Sequence, residues 1–328
     1  MPELDLHLDR GRLDRVRHGA TIVATTPAVF RVQGPGALAC LQGLLTNDLE
    51  KPGDGSIVYG ALLTPKGMIV VDAWVLRQGD MFTLIVPPSG RAQAQELFTR
   101  QLPPRLARAT DLTGQATVAW LVGGHGFQVL AKSAVGAPES AGRVVSIGGE
   151  LSPVAIALAP ESAPFVALLV GQTPAVEPVL GRLVTAGALP GEECDLHALR
   201  LLYGWPALGV EIDERTLPQE VRCDEIGGVS YTKGCYTGQE TVARLHFRGH
   251  TNRELRGLRW PDAEPLEGRV VVHGEKDVGS VRSTLTLEDR VLGLGLLRRE
   301  VSPGETVVAG GRRATVVALP FGADEVDG

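Results

Sequence analysis

The patterning of the chain changes near residue 250, and no other feature limits its architecture as much. Ahead of that point, a short apolar run is repeatedly followed by a Gly or Pro turn and then a helical pattern. Val29–Gln33, Gly34-Pro35-Gly36 and Ala37–Leu45 form one such unit, and Val118–Val122, Gly123–Gly126 and Phe127–Lys132 form another. An offset of 89 residues superposes Val29 on Val118, Gly34 on Gly123 and Leu41 on Leu130. That is either a weak internal repeat or chance similarity between two strand–turn–helix units. Met81–Val86 with Ser89–Leu102, and Phe165–Val170 with Ala175–Ala186, follow the same plan. Ser56–Leu63 and Met68–Leu76 read instead as a hairpin around Thr64-Pro65-Lys66-Gly67. Hairpins mixed with strand–helix units favour α+β layers over a purely parallel sheet.

Beyond residue 250 only short β patterns remain: Leu255–Trp260, Arg269–His273, Val278–Ser283, Arg290–Leu297, Thr306–Ala309 and Ala314–Leu319. Short strands with no helix between them predict a small barrel or sandwich. A length of 328 residues fits about two domains, with the boundary near 250.

The net charge of −6 argues against a globally basic nucleic-acid binder. The cysteines, Cys40, Cys194, Cys223 and Cys235, form no C-x-x-C pair, which disfavours a zinc ribbon and fits a reducing compartment. Met1–Asp5 lacks the basic and apolar regions of a signal peptide. The most apolar stretch, Leu151–Gly171, is interrupted by Pro153, Pro160, Glu161 and Pro164 and cannot be a spanning helix. A soluble, cytoplasmic protein without a membrane partner is expected.

The densest chemistry lies in Lys233-Gly234-Cys235-Tyr236-Thr237-Gly238-Gln239-Glu240. Thr237-x-x-Glu240 has capping-box spacing, so a helix is predicted from Gly238 through Leu245. Cys235 would then lie near the positive end of that helix, with Lys233 two residues away, a setting that favours a thiolate. The residue types alone also fit a Gly-rich turn around a buried, inert cysteine.

This run resembles the signature of the YgfZ-type folate-binding proteins, relatives of the glycine-cleavage T-protein (aminomethyltransferase). Val32–Ala37, Leu44–Asp48, Thr64–Gly67, Leu199-Arg200 and Pro320-Phe321 support it in order, over essentially the whole chain. The resemblance implies α/β subdomains around a central opening, meeting near residue 115, plus a C-terminal β-barrel over 251–328. It implies binding of tetrahydrofolate or a derivative, and support of the assembly or repair of iron–sulfur client proteins, with Cys235 as the functional thiol and Lys233 beside it. A folate-dependent aminomethyl- or methyltransferase and a non-enzymatic adaptor on the same fold are the alternatives.

A folate needs a carboxylate for the pterin edge, apolar walls and cations for the tail. Asp72 ends the apolar run Gly67–Val71 and matches an aspartate that serves the folate in the T-protein, where two acids adjoin; here the pair is Val71-Asp72. Asn47 falls in a segment that the resemblance places beside the folate, and Arg200 and Arg244 are candidates for the tail. Relatives read L-R-x-E-A-G, whose Glu contacts the pterin. Here Leu202 replaces that Glu, so either Asp72 or Glu240 supplies the carboxylate or folate binding is weakened or lost. Arg244, Arg248, Arg253, Arg256 and Arg259 form a basic stretch suited to a glutamate tail, to nucleic acid or simply to a solvated linker. His246-x-x-x-His250 lacks a third ligand nearby, so no metal site is expected.

Overall fold

The computed structural model describes residues 4–149 and 152–327. Met1–Glu3 of the N-terminal segment and Leu151 of the apolar stretch lie outside the described residues. Two antiparallel-rich sheets pack face to face, each covered on its outer side by helices. The five-stranded sheet runs in the order Ser56–Leu63, Ile69–Gln78, Met81–Val86, Ala28–Gln33, Arg108–Asp111. Helices Ala37–Gln42 and Arg91–Gln101 cover it through Leu41, Ala94 and Phe98. The six-stranded sheet runs Leu189–Pro190, Thr21–Thr25, Ala116–Val122, Ala167–Gln172, Val154–Leu158, Val144–Ile147. Helices Gly126–Lys132 and Thr173–Thr185 cover its outer face. The two units related by the 89-residue offset occupy interior strands of different sheets, each followed by a short helix.

The expected α+β plan with a C-terminal barrel is present. Its strands close as a ring: Lys276–Thr286, Val270–His273, Thr306–Ala309, Arg312–Val317, Arg253–Trp260 and Val291–Arg298, which pairs back onto the first. The barrel closes around Leu258, Trp260 and Val316. Strand Leu4–His7 adds to it in parallel along Ser283–Thr286, a pairing that no local pattern announces because its partner is nearly 280 residues away. Helix Glu193–Leu202 bridges the two parts: Ala198, Leu201 and Leu202 pack toward the barrel, Leu199 toward the space between the sheets. Among the described residues, no helix is long and apolar enough to cross a membrane.

Candidate functional site

Strand Ile69–Gln78 alternates with period two. Val71, Ala73 and Val75 join the helix-covered core, while Trp74 and Leu76 join the core between the sheets. Asp72 shares the face of Trp74. A register shift opposite Leu62 and Leu63 places a bulge just before it, a device that re-aims a side chain. Asp72 thus enters a cavity of about 380 Å³ between the sheets. Trp74, Trp120, Phe165 and Trp205 wall this cavity, with Trp74 and Trp205 stacked at 5.5 Å between centroids. Helix Glu193–Leu202 closes one side with Glu193, Leu196, His197 and Arg200, which share a face at helical spacing.

Two polar groups stand out in this apolar setting. Asp72 is 6% exposed. Its Oδ2 accepts the Tyr59 hydroxyl at 2.9 Å, while Oδ1 is buried without a hydrogen-bond partner. Burial pushes its pKa up to about 6, against the opposing pull of the Tyr59 bond and the Arg200 charge. Arg200 donates from Nη1 to Trp205 O and to Glu211 Oε2, both at 2.9 Å, and its Nη2 is buried and unpartnered. Glu211, fully buried, also accepts Ala207 N–H at 2.9 Å and the Ser283 hydroxyl at 2.5 Å. Ser283 belongs to barrel strand Lys276–Thr286, so the barrel holds Glu211 and Glu211 holds Arg200. His197 accepts weakly from Arg200 Nε at 3.4 Å; burial and that guanidinium lower its pKa to about 4, which keeps it neutral near pH 7.

A buried polar group left unpaired costs about 1–3 kcal/mol, and two of them belong to residues that line one aromatic cavity, which makes it the candidate ligand site. A flat heterocycle with donors on one edge and an acceptor on another would meet Asp72 Oδ1, Arg200 Nη2 and the indole faces together. A second cavity, about 500 Å³, lies by Arg17, Tyr203 and Phe321. It has no unpartnered buried side-chain group, and Arg17 is paired with Asp327.

The Lys233–Glu240 run is arranged differently. Lys233 is 8% exposed, and its ammonium donates to the carbonyls of Gln42, Leu45 and Asn47 at 2.7, 2.7 and 2.8 Å. Burial lowers its pKa to about 8. All its donors are spent on the end of helix Ala37–Gln42 and the loop after it, so its ammonium clasps backbone. Cys235 is exposed and forms no disulfide among the described residues, which removes the buried-cysteine alternative. Helix Gln239–Arg248 forms as expected, but the capping box does not: its N-cap is Gly238 at φ 82°, with no side-chain cap. The reason is steric. A Cβ on Gly238 would lie 2.6 Å from Thr64 O and 3.0 Å from Gly67 Cα, and one on Gly67 (φ 87°) would meet Thr241 at 2.9 Å. The two glycines let the hairpin turn and the motif turn touch backbone to backbone.

The structure brings Asp72 and Arg200 together in the cavity, and the other candidates lie outside its lining. Asn47 spends its amide on Tyr59 O and Gly227 O, both at 2.7 Å, and its carbonyl on Asp48 N–H. Glu240 and Arg244 are exposed on helix Gln239–Arg248. Arg200, expected at the tail, lies buried on the cavity wall instead, because Glu211 draws it inward. Leu202 packs with Leu255, Leu285 and Phe321 against the barrel, on the other side of its helix from Asp72. Within the basic stretch, Arg253 is held by Glu220 and Arg256 by Glu254. Cys223 is buried, a setting that raises its pKa. Among the described residues, no group of His, Cys, Asp and Glu could hold a metal.

Tyr59, Glu211 and the tryptophans were not singled out from sequence. One signal was available: aromatics make up only 5% of the chain, yet three of its four tryptophans line this cavity.

Residues 13–141 match the GCVT N-terminal domain family. An aminomethyltransferase of Rubrobacter xylanophilus is 28% identical over 88% of this chain and 79% of its own length. Proteins named tRNA-modifying protein YgfZ are 29% identical in Serratia proteamaculans, over 81% of this chain and 80% of theirs, and 26% identical in Cronobacter sakazakii, over 91% and 92%. The glycine cleavage system aminomethyltransferase T of Bartonella henselae shares the fold, with a TM-score of 0.77, 18% identity, and coverage of 95% of this chain and 89% of that one.

Proposed function

We propose that this chain, whose residues 13–141 match the GCVT N-terminal domain family, binds tetrahydrofolate or a derivative with its pterin ring in the Asp72–Arg200 cavity. One observation carries the reading: Asp72 and Arg200 line one aromatic slot, and each has a buried polar atom, Oδ1 and Nη2, without a partner. The ring's amino and ring N–H groups would go to Asp72, its carbonyl oxygen to Arg200, and its face to Trp74 or Trp205. Tyr59 and Glu211 hold these two groups in place. Leu202 then takes nothing from the site, since its helix presents 193, 196, 197 and 200 to the cavity. Anaerobic calorimetric titration of tetrahydrofolate into wild type and Asp72→Asn tests this. Saturable binding that weakens about tenfold or more in the variant is expected. No binding to wild type, or equal binding to both, overturns it.

Beyond binding, we carry over from the family resemblance a role in assembly or repair of iron–sulfur client proteins, with Cys235 as the thiol offered to the client. Its exposure and its freedom from any disulfide support that role. Full support of client maturation by Cys235→Ser would remove it. The missing second acid beside Asp72 argues against aminomethyl transfer.

A second reading, contact with RNA, is favoured by one surface. Phe247 is 68% exposed on helix Gln239–Arg248 between exposed Arg244 and Arg248, beside the Tyr231–His246 stack. An aromatic platform flanked by arginines suits stacked bases and phosphates. Some of the relatives carry tRNA modification in their names. Salt-dependent tRNA binding that Arg244→Glu abolishes would favour it.

A further inference from the structure

The folate tail poses a problem of charge. Every γ-linked glutamate adds a carboxylate, and a site that gains affinity from the tail needs cations where the chain leaves the ring. The cavity lining described above has one cation, Arg200, and it is buried and already paired with Glu211. His197 is held neutral and contributes no charge. The exposed lining residues, which form the rim, are Pro88, Ser89 and Glu193: two neutral groups and an acid. Glu193 has 62% of its side chain exposed, and among the described residues its ion-pair contact is neutral His197 at 3.7 Å. Arg91, two residues from Ser89, is engaged with Asp111, and Arg12 is engaged with Glu192 and Asp195 on either side of Glu193.

Resting on the pterin reading above, we propose that the site recognises the reduced pterin ring alone, and that Glu193 at the rim denies a polyglutamate tail any gain in affinity. Its ligand class is then reduced pterins irrespective of the length of the tail. The chemistry follows from placement: complementary polar groups lie deep beside the tryptophans, and the exit carries the same sign of charge as the tail. Exposed carboxylates repel modestly, so the effect is loss of tail preference rather than exclusion.

The test is anaerobic calorimetry with three probes: tetrahydrofolate monoglutamate, its pentaglutamate and 6-methyltetrahydropterin, each against wild type and Glu193→Lys. In wild type the three Kd values should agree within about threefold. Glu193→Lys should tighten the pentaglutamate about three- to tenfold, leave the tailless pterin unchanged, and lose that gain in high salt. Glu193 is exposed with no hydrogen bond of its own, so the variant is expected to fold normally. Pentaglutamate binding ten or more times tighter than monoglutamate in wild type would overturn the inference and leave the pterin reading standing. Equal tightening of all three probes by Glu193→Lys would also overturn it, since the residue would then act on the ring. Failure of every probe to bind folded wild type would overturn the pterin reading, and the inference with it.

Discussion

The Asp72–Arg200 cavity and the Lys233–Glu240 run bury charge in opposite ways. In the run, Lys233 spends its whole ammonium on three carbonyls, and Gly67 and Gly238 bring two turns into contact. Its one cation is satisfied internally, while Cys235 and Glu240 face out. In the cavity, Asp72 is held by one protein partner and Arg200 by three, and each keeps an atom unpaired. A protein gains stability by pairing buried groups and gains a binding site by leaving some unpaired. The denser motif is therefore largely a clasp, and the sparser set of positions is where a ligand would fit.

The largest effect is expected at the point where the cavity is itself tied to the fold. Arg200→Met leaves Glu211, 0% exposed, without its cation. Breaking a buried pair from one side costs about 3–5 kcal/mol, to be read from urea unfolding. Adding Glu211→Gln should return part of that loss, and a double variant no more stable than the single one would show that the pair is not what holds the loop.

On the clasp side, Lys233→Met should cost about 2–4 kcal/mol, because three carbonyls lose their donor in a region with little access to water. If the loss stays under about 0.5 kcal/mol, in the range of ordinary surface changes, Lys233 is free to serve Cys235 and the contrast between the two regions fails.

Legibility in the sequence follows the range of the interaction. Strands and hairpins set by local alternation, such as Ile69–Gln78, could be read directly, and so could the shift to barrel strands beyond residue 250. Asp72 was legible because a single acid interrupts an apolar strand. Arg200 was legible as a residue, but its partner Glu211 was not: the pairing depends on a loop that folds back over the helix and on Ser283 from the barrel. The failed capping box has the same origin. Thr237-x-x-Glu240 satisfies the local rule, but the approach of the Thr64–Gly67 turn demands a left-handed residue at 238, and tertiary contact overrides the cap.

The finest contrast concerns sign. Asp72 has a folded-state pKa of about 6 against an ordinary value of 3.8, because burial disfavours its charge. Between those two values the folded protein binds more protons than the unfolded chain, so stability falls as pH rises through that window and stays lower above it. Two pKa units correspond to about 2–3 kcal/mol, which the ionised acid withdraws from the fold at pH 8. Asp72→Asn retains an acceptor for the Tyr59 hydroxyl and carries no charge. It should therefore be more stable than wild type at pH 8 by up to about that amount, with the gap closing near pH 4, while its affinity for tetrahydrofolate drops. Denaturant unfolding at pH 4.5, 6 and 8 checks this. A variant less stable than wild type at pH 8 would make Asp72 a structural acid and move it to the side of Lys233. A variant that gains stability as it loses ligand would place the cost of the proposed binding site on the fold.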